Sequence, residues 1–114
     1  MKEIKAVIQP KRLERIRDAF RNMPGFPGMT ILKVQGCSGH RGLEHHANLR
    51  AELTEFSDKI QLEIICPDEQ VAEIVSLIHQ HAYSGKMGDG LLWVTPVETT
   101  QRLCIPPEQA GTIG

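Results

Sequence analysis

The run Ser84-Gly85-Lys86-Met87-Gly88-Asp89-Gly90 concentrates more potential binding chemistry than any other stretch of this chain. Glycine has no Cβ, so at Gly88 and Gly90 the backbone can come close to a ligand and offer N–H groups to phosphate oxygens. Taken alone, the same residues also suit an ordinary helix-to-strand connection. A second group is His40, Glu44, His45 and His46, with Cys37 nearby and Cys104 near the end of the chain. Imidazole and thiolate suit zinc, copper or nickel, which opens a metal-sensing reading. The spacing matches no strong metal motif, however, and neighbouring His45 and His46 point apart in regular conformations. No tightly bound metal is therefore expected. No nucleophile–base constellation and no familiar acid–base spacing is visible, so the chain is not expected to be an enzyme.

Composition bounds what could position these residues. The chain has 114 residues, 40% hydrophobic and 24% charged, which suits one globular domain. Its formal net charge of -1 removes the usual global argument for nucleic acid or an anionic membrane surface. The longest apolar run, Leu91-Leu92-Trp93-Val94, is far shorter than the roughly 20 residues of a membrane span. The polar start Met1-Lys2-Glu3 leads into no signal-peptide core, and three cysteines without CxxC spacing do not read as a secreted disulfide framework. A cytoplasmic protein without membrane insertion is expected.

The elements follow from periodicity. Glu3 to Gln9 alternates like a strand and stops at Pro10, and Leu13, Ile16 and Phe20 mark a helix over 11–22. After the turn residues 23–28, Met29 to Gln35 reads as a second strand. Residues 37–58 read as a long loop, with 44–55 capable of transient helix. A loop of that length in a small domain is usually functional or disordered. Lys59 to Cys66 is the clearest strand, Asp68 is the expected cap of a helix reaching His81, and Leu91 to Val97 is a fourth strand. Strand, helix, strand, loop, strand, helix, strand is the ferredoxin-like double βαβ arrangement, an α+β fold. Two helices cover only one sheet face, yet Leu91 and Trp93 oppose Leu92 and Val94. The second apolar face should be buried by further copies of the chain.

From about Met1 to Arg102 the chain resembles the PII signal-transduction family. Ser84-Gly85-Lys86-Met87-Gly88-Asp89-Gly90 is similar to the family's B-loop pattern TGKIGDGK. Gly28-Met29-Thr30 matches its GMT, Lys59 to Ile65 resembles its KVKIEIVV strand, and Pro67-Asp68 its PDD continuation. The loop at 37–58 lies where that family carries its T-loop. The resemblance implies a domain over 1–104, with the B-loop at 84–90 and a flexible tail at 105–114. It implies a homotrimer with adenine nucleotides in clefts between subunits. By the same resemblance Thr30 takes the adenine edge, Glu63 the ribose and backbone atoms of Ile65 the base. Gly36 and Cys37 form a wall, Met87, Gly88, Asp89 and Gly90 face the phosphates, and Arg102 adds a planar bidentate donor.

Several positions depart from the family. The lysine of GDGK is Leu91 here, and the T-loop base GFGRQKG is Gly36-Cys37-Ser38-Gly39-His40-Arg41-Gly42. Its arginine is thus Gly39 and its glutamine His40, while a second C-terminal arginine is Cys104. Each lost charge-assisted contact is worth roughly 1.5–3 kcal/mol, which favours ADP or AMP over ATP. The missing glutamine weakens the case for an orthodox ATP and 2-oxoglutarate nitrogen sensor, which stands as an alternative beside a metal-responsive protein. No T-loop tyrosine is present, since the one tyrosine is Tyr83, so uridylylation there is ruled out. The chain resembles instead the divergent PII-like proteins, some of which accompany transporters for inorganic carbon or metals. A bicarbonate ion held by the Ser38, Gly39, His40, Arg41 and Gly42 turn, with Lys59 nearby, fits the carbon-linked type. The implied partner is a membrane transporter or another protein regulated through the T-loop. Cys37 and Cys104, both flanking the implied nucleotide site, are either a redox-sensitive pair or two unrelated thiols.

Overall fold

The computed structural model describes residues 1–37 and 56–112. Strand β1, Lys2–Ile8, buries Ile4, Ala6 and Ile8 and turns the residues between them outward. Pro10 lacks the N–H that an α-helix interior would use, and it starts a 3-10 turn over Pro10–Arg12. Helix α1 then runs Leu13–Arg21, burying Ile16 and Phe20. Strand β2 is Thr30–Gly36 and strand β3 is Ser57–Cys66. A 3-10 turn at Asp68–Gln70 leads into helix α2, Val71–Ala82, whose Ile74, Ile78 and Ala82 are buried, and β4 is Leu91–Pro96.

The sheet order is β2-β3-β1-β4 with every neighbouring pair antiparallel, which is the ferredoxin-like order expected from the sequence. Both helices lie on one face. Ile4, Ala6 and Ile8 of β1 and Ile60, Leu62, Ile64 and Cys66 of β3 meet Ile16, Phe20, Ile74 and Ile78 there in a single core. Residues directly opposite across strands share a face. The register therefore puts Val7, Leu32, Val34, Ile65, Leu91 and Trp93 on the uncovered face, among Glu3, Lys5, Gln61 and Glu63.

Three details differ from the sequence reading. Asp68 makes no side-chain cap; its carboxylate lies 3.0 Å from the Met1 amino group, a charge-assisted contact stronger than a neutral cap. That ammonium holds the Asp68 carboxyl below its usual range. The loop expected to last until residue 58 ends earlier, because Ser57 and Asp58 already pair with Gly36 and Gln35 in the β2–β3 ladder. The uncovered face is also less apolar than the β4 pattern suggests, since Glu3, Lys5, Gln61 and Glu63 share it with Leu91 and Trp93. Val94 shares the helix-side face with Ile4 but sits on the edge strand, and it is 38% exposed, much like Trp93 at 37% on the other face. The helical stretch expected at 44–55 lies outside the described residues. In the expected tail, a 3-10 turn forms at Pro107–Gln109.

Candidate functional site

The glycine loop begins where α2 stops. Tyr83 still donates its N–H to the His79 carbonyl at 3.0 Å, but its backbone is already extended. Gly85, Gly88 and Gly90 then take φ values of +83°, +97° and +107°, where a side chain is strained. Gly90 has a second reason to be glycine, since a Cβ there would sit 1.7 Å from the Val7 carbonyl oxygen of β1.

Asp89 organises this loop from within. One carboxylate oxygen accepts the backbone N–H groups of Ser84, at 2.7 Å, and of Gly85, at 2.9 Å. The other accepts the Ser84 hydroxyl and, at 3.2 Å, the Gln9 side-chain amide from the end of β1. The Ser84 hydroxyl first, and then the backbone N–H groups, lower the Asp89 carboxyl to about 2. From β3, Lys59 donates to the Gly88 carbonyl at 2.8 Å. Gly36 closes this group, for a Cβ on it would lie 3.4 Å from the Lys59 side chain, and Cys37 follows it directly.

At the other end of β3 a groove of about 760 Å³ gathers Thr30, Glu63, Ile65 and Arg102. The loop 25–29 forms one wall and Thr100 to Cys104 another. The first wall is anchored twice: Phe26 stacks on Phe20 of α1 with ring centroids 4.2 Å apart, and Gln70 donates to the Gly25 carbonyl at 2.8 Å. The second wall arrives because Val97 extends the β1–β4 ladder with a 3.1 Å bond to Met1, after which the chain crosses the sheet end. The Gln70 side-chain amide oxygen and the Thr100 hydroxyl oxygen are buried here without a hydrogen-bond partner. Glu63 is partly engaged, accepting from Gln61 at 3.0 Å with the Lys5 ammonium 4.0 Å away.

The nominated residues therefore fall into two clusters. Thr30, Glu63, Ile65 and Arg102 share the groove, while Gly36, Cys37, Lys59, Met87, Gly88, Asp89 and Gly90 gather at the opposite end of the sheet. Lys59 and Glu63 are four residues apart and on the same face of β3, a separation of about 13 Å in extended strand. Ser38, Gly39, His40, Arg41 and Gly42, like His45 and His46, lie outside the described residues. Among the described residues no three His, Cys, Asp or Glu side chains come together as a metal site. Cys37 and Cys104 sit near opposite ends of β2, roughly 20 Å of strand apart, whereas a disulfide needs Cα atoms within about 7 Å. They do not pair within one chain. Sequence reasoning missed Gln9, Ser84 and Gln70 as supports. Only Ser84, inside the glycine motif, carried a signal.

An antiparallel four-stranded sheet with two helices on one face, and a glycine loop and a groove toward the other, defines an α+β protein of the ferredoxin-like class. The family model described as Nitrogen regulatory protein P-II matches residues 1–105, and the chain belongs to that family. A Nitrogen regulatory protein P-II of Haemophilus influenzae is 34% identical over 113 residues, covering 99% of this chain and 100% of that protein. The one from Pasteurella multocida is 33% identical over the same span, with the same coverage. That of Azospirillum brasilense is 30% identical over 103 residues, 90% of this chain and 91% of its own length. The family's proteins are regulatory signal-transduction proteins rather than enzymes. They are generally trimers that regulate partner proteins, and they generally bind adenine nucleotides and 2-oxoglutarate. Among the described residues no helix is long and apolar enough to cross a membrane.

Proposed function

We propose that this chain is a cytoplasmic homotrimeric sensor that binds ADP or AMP between neighbouring subunits, with bicarbonate as a second ligand. The observation that carries the reading is the alignment of two clusters along one face of β3. The Thr30, Glu63, Ile65 and Arg102 groove suits a base and ribose, and the Lys59 and Gly88–Gly90 end suits phosphate, with about 13 Å between them. Both open toward the face that the helices leave uncovered, which supports completion of the cleft by a second chain. Leu91, 69% exposed beside the loop, brings no cation to the phosphate end, which supports di- or monophosphate over triphosphate. Bicarbonate would be held by residues among Ser38 to Gly42, Arg41 above all, with Lys59 nearby.

The residues from Cys37 to Asp58, of which Ser57 and Asp58 belong to β3, are the segment that the ligand would bias and a regulated partner, such as a membrane transporter, would read. For that switch to work, ADP or AMP must bind the two loop states with different affinity. The test is isothermal titration with ATP, ADP and AMP, each with and without bicarbonate, and again with 2-oxoglutarate and magnesium. Tighter ADP or AMP binding in bicarbonate upholds the reading. Binding of ATP with 2-oxoglutarate and magnesium, unaffected by bicarbonate, would replace it with the orthodox nitrogen sensor.

A further inference from the structure

Asp89 stands in the middle of the glycine motif, where the obvious role for it is contact with a ligand. Its surroundings argue otherwise. Both carboxylate oxygens are already taken, one by the N–H groups of Ser84 and Gly85, the other by the Ser84 hydroxyl and the Gln9 amide. An anionic carboxylate would also repel a phosphate oxygen at contact distance. The same four bonds do something else. They tie the start of the loop to its end across five residues, and Gln9 ties both to the end of β1. Lys59 holds the Gly88 carbonyl from a different strand, and Gly90 is pressed against Val7. The Asp89 N–H itself is used inside the loop, on the Lys86 carbonyl at 3.3 Å. The loop is thus held from three sides by the chain's own groups, and prior ordering of this kind lowers the cost of binding.

We infer that Asp89 is a positioning residue, which sets the shape of the 84–90 loop with Ser84 and Gln9 and acts on a bound phosphate only through the Met87, Gly88 and Gly90 backbone. This rests on the nucleotide reading proposed above for its effect on ligand, but not for its effect on the loop. The isosteric change Asp89→Asn is diagnostic. An amide keeps one acceptor oxygen for the Ser84 and Gly85 N–H groups, its NH₂ meets Ser84 and Gln9 only if the hydroxyl turns to accept and the Gln9 amide turns over, and the negative charge that strengthens all four bonds is lost. Ser84→Ala removes the hydroxyl bond alone, and Ser84→Thr restores a hydroxyl.

The experiment measures amide hydrogen exchange across 84–90 in ligand-free protein, together with ADP and adenosine titrations, for the wild type and all three variants. Asp89→Asn should raise exchange at Ser84 and Gly85 roughly tenfold and weaken ADP by a similar factor, leaving adenosine unchanged, because adenosine reaches no phosphate-binding backbone. Ser84→Ala should reproduce part of both effects and Ser84→Thr should recover them. Weaker ADP binding by Asp89→Asn with unaltered loop exchange would overturn the inference and make Asp89 a direct ligand. Should wild-type protein bind no ADP, the nucleotide reading falls. Exchange at Ser84 and Gly85 then decides alone: faster in Asp89→Asn upholds the positioning role, unchanged overturns it.

Discussion

Replacing Gly90 by alanine should damage the loop far more than the loss of one hydrogen atom suggests. The added Cβ would lie 1.7 Å from the Val7 carbonyl oxygen, and contacts under 3.0 Å do not persist. The two backbones must therefore separate by about 1.3 Å. That separation falls at the first rung of the β1–β4 ladder, where Val7 faces Leu91. Two contributions combine. Placing a non-glycine residue at φ +107° strains the backbone by about 1–3 kcal/mol, and weakening the adjoining ladder bond removes about 1 kcal/mol more. A loss of about 2–4 kcal/mol follows. Gly28→Ala separates the two contributions, because Gly28 also has a positive φ, +115°, but nothing lies within 4 Å of its Cβ position. Urea denaturation of both variants at one protein concentration should show Gly90→Ala as the less stable by at least about 1 kcal/mol. Equal midpoints would refute the argument that close approach, rather than conformation alone, requires glycine at 90. Gly90→Trp should additionally abolish nucleotide binding while leaving the oligomer intact.

Other expectations follow from packing and charge. Ile74→Ala empties a fully buried position in the core and should cost about 2–5 kcal/mol in a urea titration. The Asp89 carboxyl is held near 2 against an ordinary 3.8, so its bonds contribute fully above pH 3.8 and are lost as pH falls through about 2. Exchange at Ser84 and Gly85, corrected for intrinsic rate, should stay constant from pH 7 to pH 4 and rise only below. Burial raises the Cys66 thiol above 9.0, so mass-resolved alkylation at pH 8 should modify exposed Cys104 long before Cys66. Trp93 is the single tryptophan and lies on the uncovered face. Its emission should shift to the red when an assembly that buries this face is diluted until it dissociates.

The order and type of the elements were legible because β1 and β3 alternate cleanly and both helices show a spaced apolar stripe. The mixed character of the uncovered face was less legible. Runs such as Leu91 to Val94 look apolar on both sides, but which side a residue faces depends on register, and Lys5, Gln61 and Glu63 join Trp93 only once β1, β3 and β4 are aligned. Edge position also mattered, since Val94 points to the core side and is exposed all the same. In the candidate site, the glycine motif announced a tight loop but not what shapes it. Gln9 is 80 residues from Asp89 in sequence, and nothing in a glutamine before a proline signals that contact. Asp68 misled because a local capping pattern carries no information about a distant amino group.

Native mass spectrometry of the purified protein with ADP shows whether nucleotide binds between subunits. A trimer carrying up to three ADP molecules, one for each cleft, with no ADP on dissociated chains, is expected. ADP bound to monomer, or a trimer that takes up no ADP, would contradict binding between subunits.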